Sequence, residues 1–270
     1  MAKTVLITGA SSGIGKATAR YFAEKGWNVA ATMRKPQNIT DLAETQTLKK
    51  IALDVQDKNS IKSAVQETLT TFGNIDVVVN NAGYGLWGPM EEIEDDKIRR
   101  QFDVNVFGLI DVIKEALPTM RAQKSGVIIN ISSVGGKLGT PLGSMYHGTK
   151  FAVEGITESL NFELNPVGIK ARLVEPGGVK TDFSGRSLDV VEHNNPDYEH
   201  ITTNLMKAFE NPDLIGGTAE GCAKVIYQAA THSGKKMRFV YGNDAKVMIA
   251  VKDWFGTNAV QGMKKRMLKL

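Results

Sequence analysis

Cysteine occurs once in the 270 residues, at Cys222, so the chain can form no disulfide within itself and no thiolate-bound metal cluster. Histidine is nearly as scarce. The four are His147, His193, His200 and His232, and none has a convincing acid partner in the sequence. No apolar run approaches the roughly 18 residues that a membrane span needs. Strand-like residues begin at Thr4, which leaves a signal sequence no space. Neither sign of charge is in large excess, the formal net charge being +4. The basic residues crowd into Met263-Lys264-Lys265-Arg266-Met267-Leu268-Lys269 without interleaved aromatics, and read as a solvated C-terminal helix. These absences argue against a disulfide scaffold, a metal centre and a partnership with nucleic acid or membrane. A cytoplasmic protein is the expectation.

What is present is ordinary for a chain with a real core: 42% hydrophobic and 23% charged residues. Short apolar runs alternate with longer amphipathic stretches. The runs predict strands at Thr4–Thr8, Asn28–Thr32, Lys49–Leu53, Asp76–Asn80, Val127–Ser132, Lys170–Glu175 and Met237–Tyr241. Most are continuously apolar, as expected when helices cover both faces of a parallel sheet. A helix is predicted from Gly15 to Lys25, closed by Gly26. The alternation predicts an α/β fold: one doubly wound, Rossmann-type domain over 1–270, with a mostly parallel seven-stranded sheet. The rhythm breaks from Phe183 to about Gly217, where Pro196, Pro212 and Asn194-Asn195 stand in a polar stretch. That stretch reads as a flexible substrate flap.

The opening segment TVLITGASSGIG, residues 4 to 15, admits two readings. Gly9-Ala10-Ser11-Ser12-Gly13 fits G-x-S-x-G, the nucleophile elbow of an α/β-hydrolase, whereas Gly9, Gly13 and Gly15 fit a turn that cradles a dinucleotide phosphate. An elbow serine needs a later histidine and acid, and it usually follows several strands rather than the first. The phosphate reading asks for less. Glycines let the backbone approach the ligand, and the following helix aims unpaired N–H groups at an anion. Strand, glycine turn and helix are the usual opening of a dinucleotide-binding sheet.

Further segments follow in a fixed order. Asn80-Asn81-Ala82-Gly83 comes after the fourth strand, and Asn105 lies in Asp103-Val104-Asn105-Val106 on a long helix. Ser133 stands thirteen residues before Tyr146, which opens Tyr146-His147-Gly148-Thr149-Lys150, and Pro176-Gly177-Gly178-Val179-Lys180-Thr181 follows the sixth strand. The set resembles the short-chain dehydrogenase/reductase family, with its T-G-x-x-x-G-x-G, N-N-A-G, Y-x-x-x-K and P-G-x-x-x-T patterns. The resemblance spans roughly residues 3 to 183. Lys150-Phe151-Ala152-Val153-Glu154-Gly155 with Pro176-Gly177-Gly178 is similar to the branch of 17-beta-hydroxysteroid and retinol dehydrogenases.

The resemblance implies a nicotinamide-linked oxidoreductase that interconverts a carbonyl and an alcohol, with Asn105, Ser133, Tyr146 and Lys150 as its catalytic set. Reducing a carbonyl requires a hydride, an acid and a group that fixes the oxygen. Tyr146 would give the proton. A free phenol has a pKa near 10, and Lys150, four residues along one helix face, would stabilise the phenolate. In family members that lysine also holds the nicotinamide ribose. Ser133 would hydrogen-bond the substrate oxygen, and Asn105 would hold a helix distortion and a water leading to Lys150. Ser132, next along the strand, points the other way. Alone, Tyr146 and Lys150 would read as an ordinary exposed helical pair; Ser133 and the glycine turn favour the catalytic reading.

NADP(H) is the expected cofactor. Met33 falls where NAD-preferring relatives place an acid, and Arg34 and Lys35 follow it, a guanidinium fork suited to a 2′-phosphate. A merely solvated basic turn is the alternative. By resemblance the remaining cofactor contacts are Gly9, Ser11, Ser12, Gly13, Ile14, Gly15, Asp54, Val55, Asn81, Ala82, Gly83, Tyr146, Lys150, Pro176, Gly177, Val179 and Thr181. Leu86, Trp87, Leu138, Leu142, Met145 and Phe183 would line an apolar substrate pocket with Ser133 and Tyr146, favouring a hydrophobic carbonyl or alcohol. Trp87 could equally pack beneath the flap. Phe107, Ile110, Ile113, Phe151, Ile156 and Leu160 would permit a homo-oligomer, a dimer or tetramer, or else face the sheet. Two other function classes stay open: a dehydratase or epimerase on the same fold, and a cofactor-binding sensor without turnover.

Overall fold

The computed structural model describes residues 2–181, 187–211 and 216–268. Seven strands form one sheet: β1 (Thr4–Ile7), β2 (Asn28–Met33), β3 (Leu48–Ala52), β4 (Val77–Asn80), β5 (Gly126–Ile131), β6 (Ile169–Pro176) and β7 (Arg238–Tyr241). Their spatial order is β3-β2-β1-β4-β5-β6-β7, and every pairing is parallel. All seven predicted strands are in it, with ends moved by a residue or so, the usual uncertainty of element boundaries.

The apolar runs are continuous because each strand feeds two cores. In β1, Val5 and Ile7 pack with Ala19 and Phe22 of α1 (Gly13–Glu24), while Leu6 faces the opposite layer. That opposite layer holds α2 (Lys58–Phe72), α4 (Gly108–Gln123) and α5 (Ser144–Leu164), whose Ile61, Val112 and Val153 close on Val78 and Ile128. Between α2 and α4 runs α3 (Asp95–Phe102), continued by a π-helical turn at Asp103–Phe107. Ile113 belongs to this core, whereas Phe107 and Phe151 stay exposed. Of the residues proposed for an interface, Ile113 is therefore accounted for by the sheet.

The stretch expected to be irregular carries regular structure in its described part. Leu188–Val190 pairs in parallel with Gly85–Trp87, and α6 spans Glu199–Glu210. Leu205, Ala208 and Phe209 recur at helical spacing, and Leu205 is buried. The turn-forming residues lie at the border: the Asn195 side chain accepts from the Asp197 N–H at 3.0 Å, starting the turn at Pro196–Tyr198. Phe183 and Pro212 lie outside the described residues.

After α7 (Ala219–Thr231) and β7, α8 (Asn243–Met267) is not simply solvated as the basic sequence suggests. Lys264 is buried and donates to the Gly139 carbonyl at 2.9 Å, and Leu268 packs with Trp87 and Leu205. Long lysine stems cover apolar surface readily, which a count of charges cannot reveal. None of the described helices is long and apolar enough to cross a membrane.

Candidate active site

The chain steps outward from β1 to β2 and β3, then returns across the sheet to β4, so the topological switch lies between β1 and β4. Ligand crevices of open α/β sheets form at this point, beyond the carboxyl ends of the strands. The glycine turn after β1 and the Asn81 segment after β4 meet there. Thr8 Oγ1 accepts from the N–H groups of Asn81 and Ala82, both at 3.0 Å. Asn81 Nδ2 donates back to the carbonyls of Thr8 and Gly9 at 3.0 and 3.1 Å.

That closeness explains two glycines. Gly9 has φ +67, and a Cβ there would lie 2.9 Å from Ala82 Cα. At Gly15 a Cβ would lie 2.3 Å from the Gly9 carbonyl oxygen and 2.5 Å from Asn81 Nδ2. Any side chain would force the turn off the strand ends. The helix that follows begins at Gly13 after Ser12, with no side-chain cap and no acid in its first turn. Its first N–H groups therefore face the crevice without an internal anion, the arrangement a phosphate fits. Thr181 closes the other side, its Cβ 3.3 Å from where a Gly13 Cβ would be.

Arg34 and Lys35 are exposed after β2, and neither forms an ion pair among the described residues. Met33 beside them is buried. Asp54 is half-buried after β3 and accepts from the Gln56 N–H at 3.0 Å. A residue that sequence reasoning missed organises the Pro176–Thr181 segment. Asp244 Oδ2 accepts from the Gly178 N–H at 2.7 Å, and a Cβ on Gly177 would fall 2.1 Å from the same oxygen. Only the fold brings Asp244 to this loop, so no local signal marked it.

Ser133 follows β5, its hydroxyl accepting from the Gly135 N–H at 3.0 Å and donating to the Pro176 carbonyl at 3.4 Å. It also hydrogen-bonds the Tyr146 phenol. Ser132 Oγ is buried apart from this pair, near where a Gly136 Cβ would be. Lys150 Nζ lies 5.8 Å from the centre of the Tyr146 ring and donates to the Ile131 carbonyl at 2.9 Å. Burial lowers Lys150 to about 8, opposed by the nearby Glu154 carboxylate. Burial also raises the Tyr146 phenol, and the Ser133 hydrogen bond opposes this only in part. Beside the stabilisation expected from Lys150, desolvation of the phenolate acts the other way and is the largest effect on Tyr146.

Asn105 occupies the middle of the π turn. Its Oδ1 accepts from the Tyr84 N–H at 3.0 Å, while Nδ2 donates to the Tyr84 carbonyl at 2.9 Å and to Thr149 Oγ1 at 3.2 Å. Thr149 Oγ1 in turn donates to the Tyr146 carbonyl at 2.7 Å. The distortion predicted around Asn105 is therefore present, and it ties the Asn81–Tyr84 segment to the helix that bears Tyr146. His147 locks the adjacent loop. The Thr140 N–H donates to Nε2 at 2.9 Å, so the ring proton sits on Nδ1 and is donated to the Gly135 carbonyl at 2.9 Å. Burial lowers the pKa of this imidazole.

The expected substrate residues divide. Trp87 stacks on Tyr146 with ring centres 4.6 Å apart and meets Phe209 of α6 edge-on at 5.4 Å, so it packs against α6. Leu142 joins that cluster in a left-handed conformation, φ +60, strained for a branched side chain. Leu86 does not face Tyr146. It is buried in a separate cluster with Ile93 and Val191, since successive strand residues point to opposite sides. Met145 packs with Leu86, and Leu138 is buried.

A family model described as short chain dehydrogenase matches residues 3–190. The 3-ketodihydrosphingosine reductase of Bacteroides thetaiotaomicron is 35% identical over 260 residues, 95% of this chain and 94% of that protein. A short-chain dehydrogenase structure from Streptomyces avermitilis superposes with a TM-score of 0.83 at 34% identity, covering 94% of this chain and 96% of that one. The structure of ElxO with NADP bound gives a TM-score of 0.72 at 30% identity, over 89% and 96% of the two chains.

Proposed function

The chain belongs to the short-chain dehydrogenase family of oxidoreductases, and on that premise we propose that it reversibly reduces a hydrophobic ketone or aldehyde with NADP(H), Tyr146 giving the proton. The observation that carries this reading is the Ser133–Tyr146 hydrogen bond with Lys150 beside the ring, at the sheet edge where the glycine turn lies. Ser133 holds the substrate oxygen against Tyr146. The phenol, kept protonated by burial, donates to that oxygen as negative charge develops on it. The Lys150 ammonium then stabilises the phenolate. Asn105 fixes the backbone around Tyr84 and, through Thr149, the helix turn of Tyr146.

NADPH supplies the hydride when bound. The fit is good: a turn with no volume for a Cβ, an uncapped helix N-terminus and two cations after β2 that form no ion pair among the described residues. Gly9, Ser11, Ser12, Gly13, Ile14 and Gly15 would cradle the phosphates, and Arg34 and Lys35 would hold the 2′-phosphate. Asp54, Val55, Asn81, Ala82 and Gly83 would line the adenine side. Lys150, Tyr146, Pro176, Gly177, Val179 and Thr181 would hold the nicotinamide half. ElxO binding NADP supports the choice.

Trp87 and Leu142 beside Tyr146, under Leu205 and Phe209, make an apolar wall. With the likeness to a 3-ketodihydrosphingosine reductase, this supports a lipophilic ketone as substrate. Exposed Phe107 and Phe151 support an interface between copies. NADPH oxidation over a panel of carbonyls of graded chain length, with Tyr146→Phe alongside, tests the reading. A fall of roughly 10²- to 10⁴-fold in the variant is expected; activity surviving intact would reject Tyr146 as the acid.

A further inference from the structure

Behind Lys150 lies a buried group of charges that the proposed reaction leaves unused. Glu154 and Glu175 are 5% and 1% exposed. Glu154 stands one helical turn beyond Lys150 on the same face of α5. Glu175 is near the end of β6 and lies within hydrogen-bonding reach of Glu154. Lys137 Nζ is 3.1 Å from Glu154 Oε2, and Arg238 Nε is 3.3 Å from both Glu154 Oε2 and Glu175 Oε1. Arg238 also reaches Glu158 on the same helix, at 3.1 Å. Among the described residues, these five with Lys150 are the charged side chains in this network.

Among the described residues, Glu154 Oε1 and Ser132 Oγ are buried without a hydrogen-bond partner, and Glu175 Oε1 has only its ion pair with Arg238. The missing Cβ of Gly136 lets Ser132 and Glu154 pack close to the same point of the loop. A Cβ there would lie 2.5 Å from Ser132 Oγ, 3.0 Å from Glu154 Cγ and 3.1 Å from the Lys150 carbonyl. Two adjacent buried carboxyls cannot both ionise cheaply. Among the described residues Glu154 pairs with two cations and Glu175 with one, so geometry gives the charge to Glu154 and the proton to Glu175.

We propose that Glu154 is a positioning residue for Lys150: its buried carboxylate keeps the ε-ammonium charged beside Tyr146, and Glu175 holds the proton that leaves Glu154 as the anion. The proposal rests on the reading of Lys150 as part of the catalytic set. Two shifts agree with it. The Glu154 charge opposes the burial that lowers Lys150, and Glu175 is raised to about 7, first by burial and then by Glu154.

The test follows the Lys150 side chain directly, by NMR titration of the protein labelled at lysine Cε, its signal assigned with Lys150→Arg. Glu154→Gln should lower the Lys150 midpoint by about one pH unit or more, a tenfold change in the charged-to-neutral ratio. Glu154→Asp should restore most of that loss. Glu158→Gln, on the exposed side of the network, should leave the midpoint in place. A Glu154→Gln protein that melts like the wild type yet keeps the Lys150 midpoint would overturn the proposal. So would an equal drop in Glu154→Asp or Glu158→Gln. In turnover, the alkaline limb of the kcat/KM profile should move down with the midpoint. Absence of turnover in the wild type would reject the carbonyl-reductase reading alone, because the titration needs no substrate.

Discussion

At Tyr146 two environments compete for one proton. Its ring lies against Trp87 and beneath α6, and desolvation outweighs the Ser133 hydrogen bond, so the phenol stays protonated at neutral pH. That suits the reducing direction, in which Tyr146 must give a proton. Lys150 supplies the stabilising charge only while protonated, and burial sets that limit at about 8. At the cofactor end, Arg34 is an exposed cation with no ion pair among the described residues, and charge-assisted hydrogen bonds contribute ~1.5–3 kcal/mol. Arg34→Ala should therefore weaken NADPH binding roughly 10- to 100-fold and leave NADH nearly unchanged, as read by fluorescence titration. Equal losses for the two would remove the 2′-phosphate assignment.

Elements matter here through the places where they depart from regularity. The π turn at Asp103–Phe107 carries Asn105, whose side chain makes three hydrogen bonds to Tyr84 and Thr149. Asn105→Ala removes the acceptor of the half-buried Tyr84 N–H, while the Tyr84 carbonyl keeps Gln101 Nε2 at 2.9 Å, so the loss costs ~1–3 kcal/mol. A thermal melt should fall accordingly, and NADPH oxidation should drop even at temperatures where the variant is folded. An unchanged melt would show that these bonds are replaced. The glycine turn is similarly unforgiving. Gly9→Ala places a Cβ 2.9 Å from Ala82 Cα at φ +67, adding a clash to the ~1–2 kcal/mol that a left-handed residue costs. Loss of the melting shift that NADPH gives the wild type is expected, and a full shift would overturn the turn's role.

Across the whole molecule, pH acts on stability through buried groups on one side of the sheet. Glu175 has its pKa raised from 4.5 to about 7, chiefly by burial and then by Glu154. Between those values the unfolded chain has released a proton that the folded chain retains, so this group's contribution to stability falls as pH rises from 4.5 to 7. Glu175→Gln abolishes that dependence. Denaturant melts should find the variant gaining on the wild type across this window and holding a constant lead above it. A difference independent of pH would refute the raised value. His147 acts in the opposite sense: its lowered pKa makes folding less favourable as pH falls below its ordinary 6.5.

Much of the architecture was legible because it depends on local pattern. Continuous apolar runs specify strands covered on both faces, as Val77–Val79 illustrates by feeding both cores. The order of motifs placed Gly9, Asn81, Asn105, Ser133, Tyr146 and Lys150, and the structure brings them to one edge of the sheet, since parallel strands present their following loops on the same side. The stretch that holds α6 was less legible, because Asn195 and Pro196, which mark the turn before it, obscure the apolar spacing of Leu205, Ala208 and Phe209. Other features depended on contacts between residues far apart in the chain. Asp244 reaches Gly178 only when β6 and β7 pair. The side to which Leu86 turns, the cover that α6 lays over Trp87, and the burial of Lys264 follow from packing. Above all, the sequence by itself determined which groups the site contains, whereas the tertiary structure decided their charge states, because burial depends on everything packed around a group and not on its neighbours in the chain.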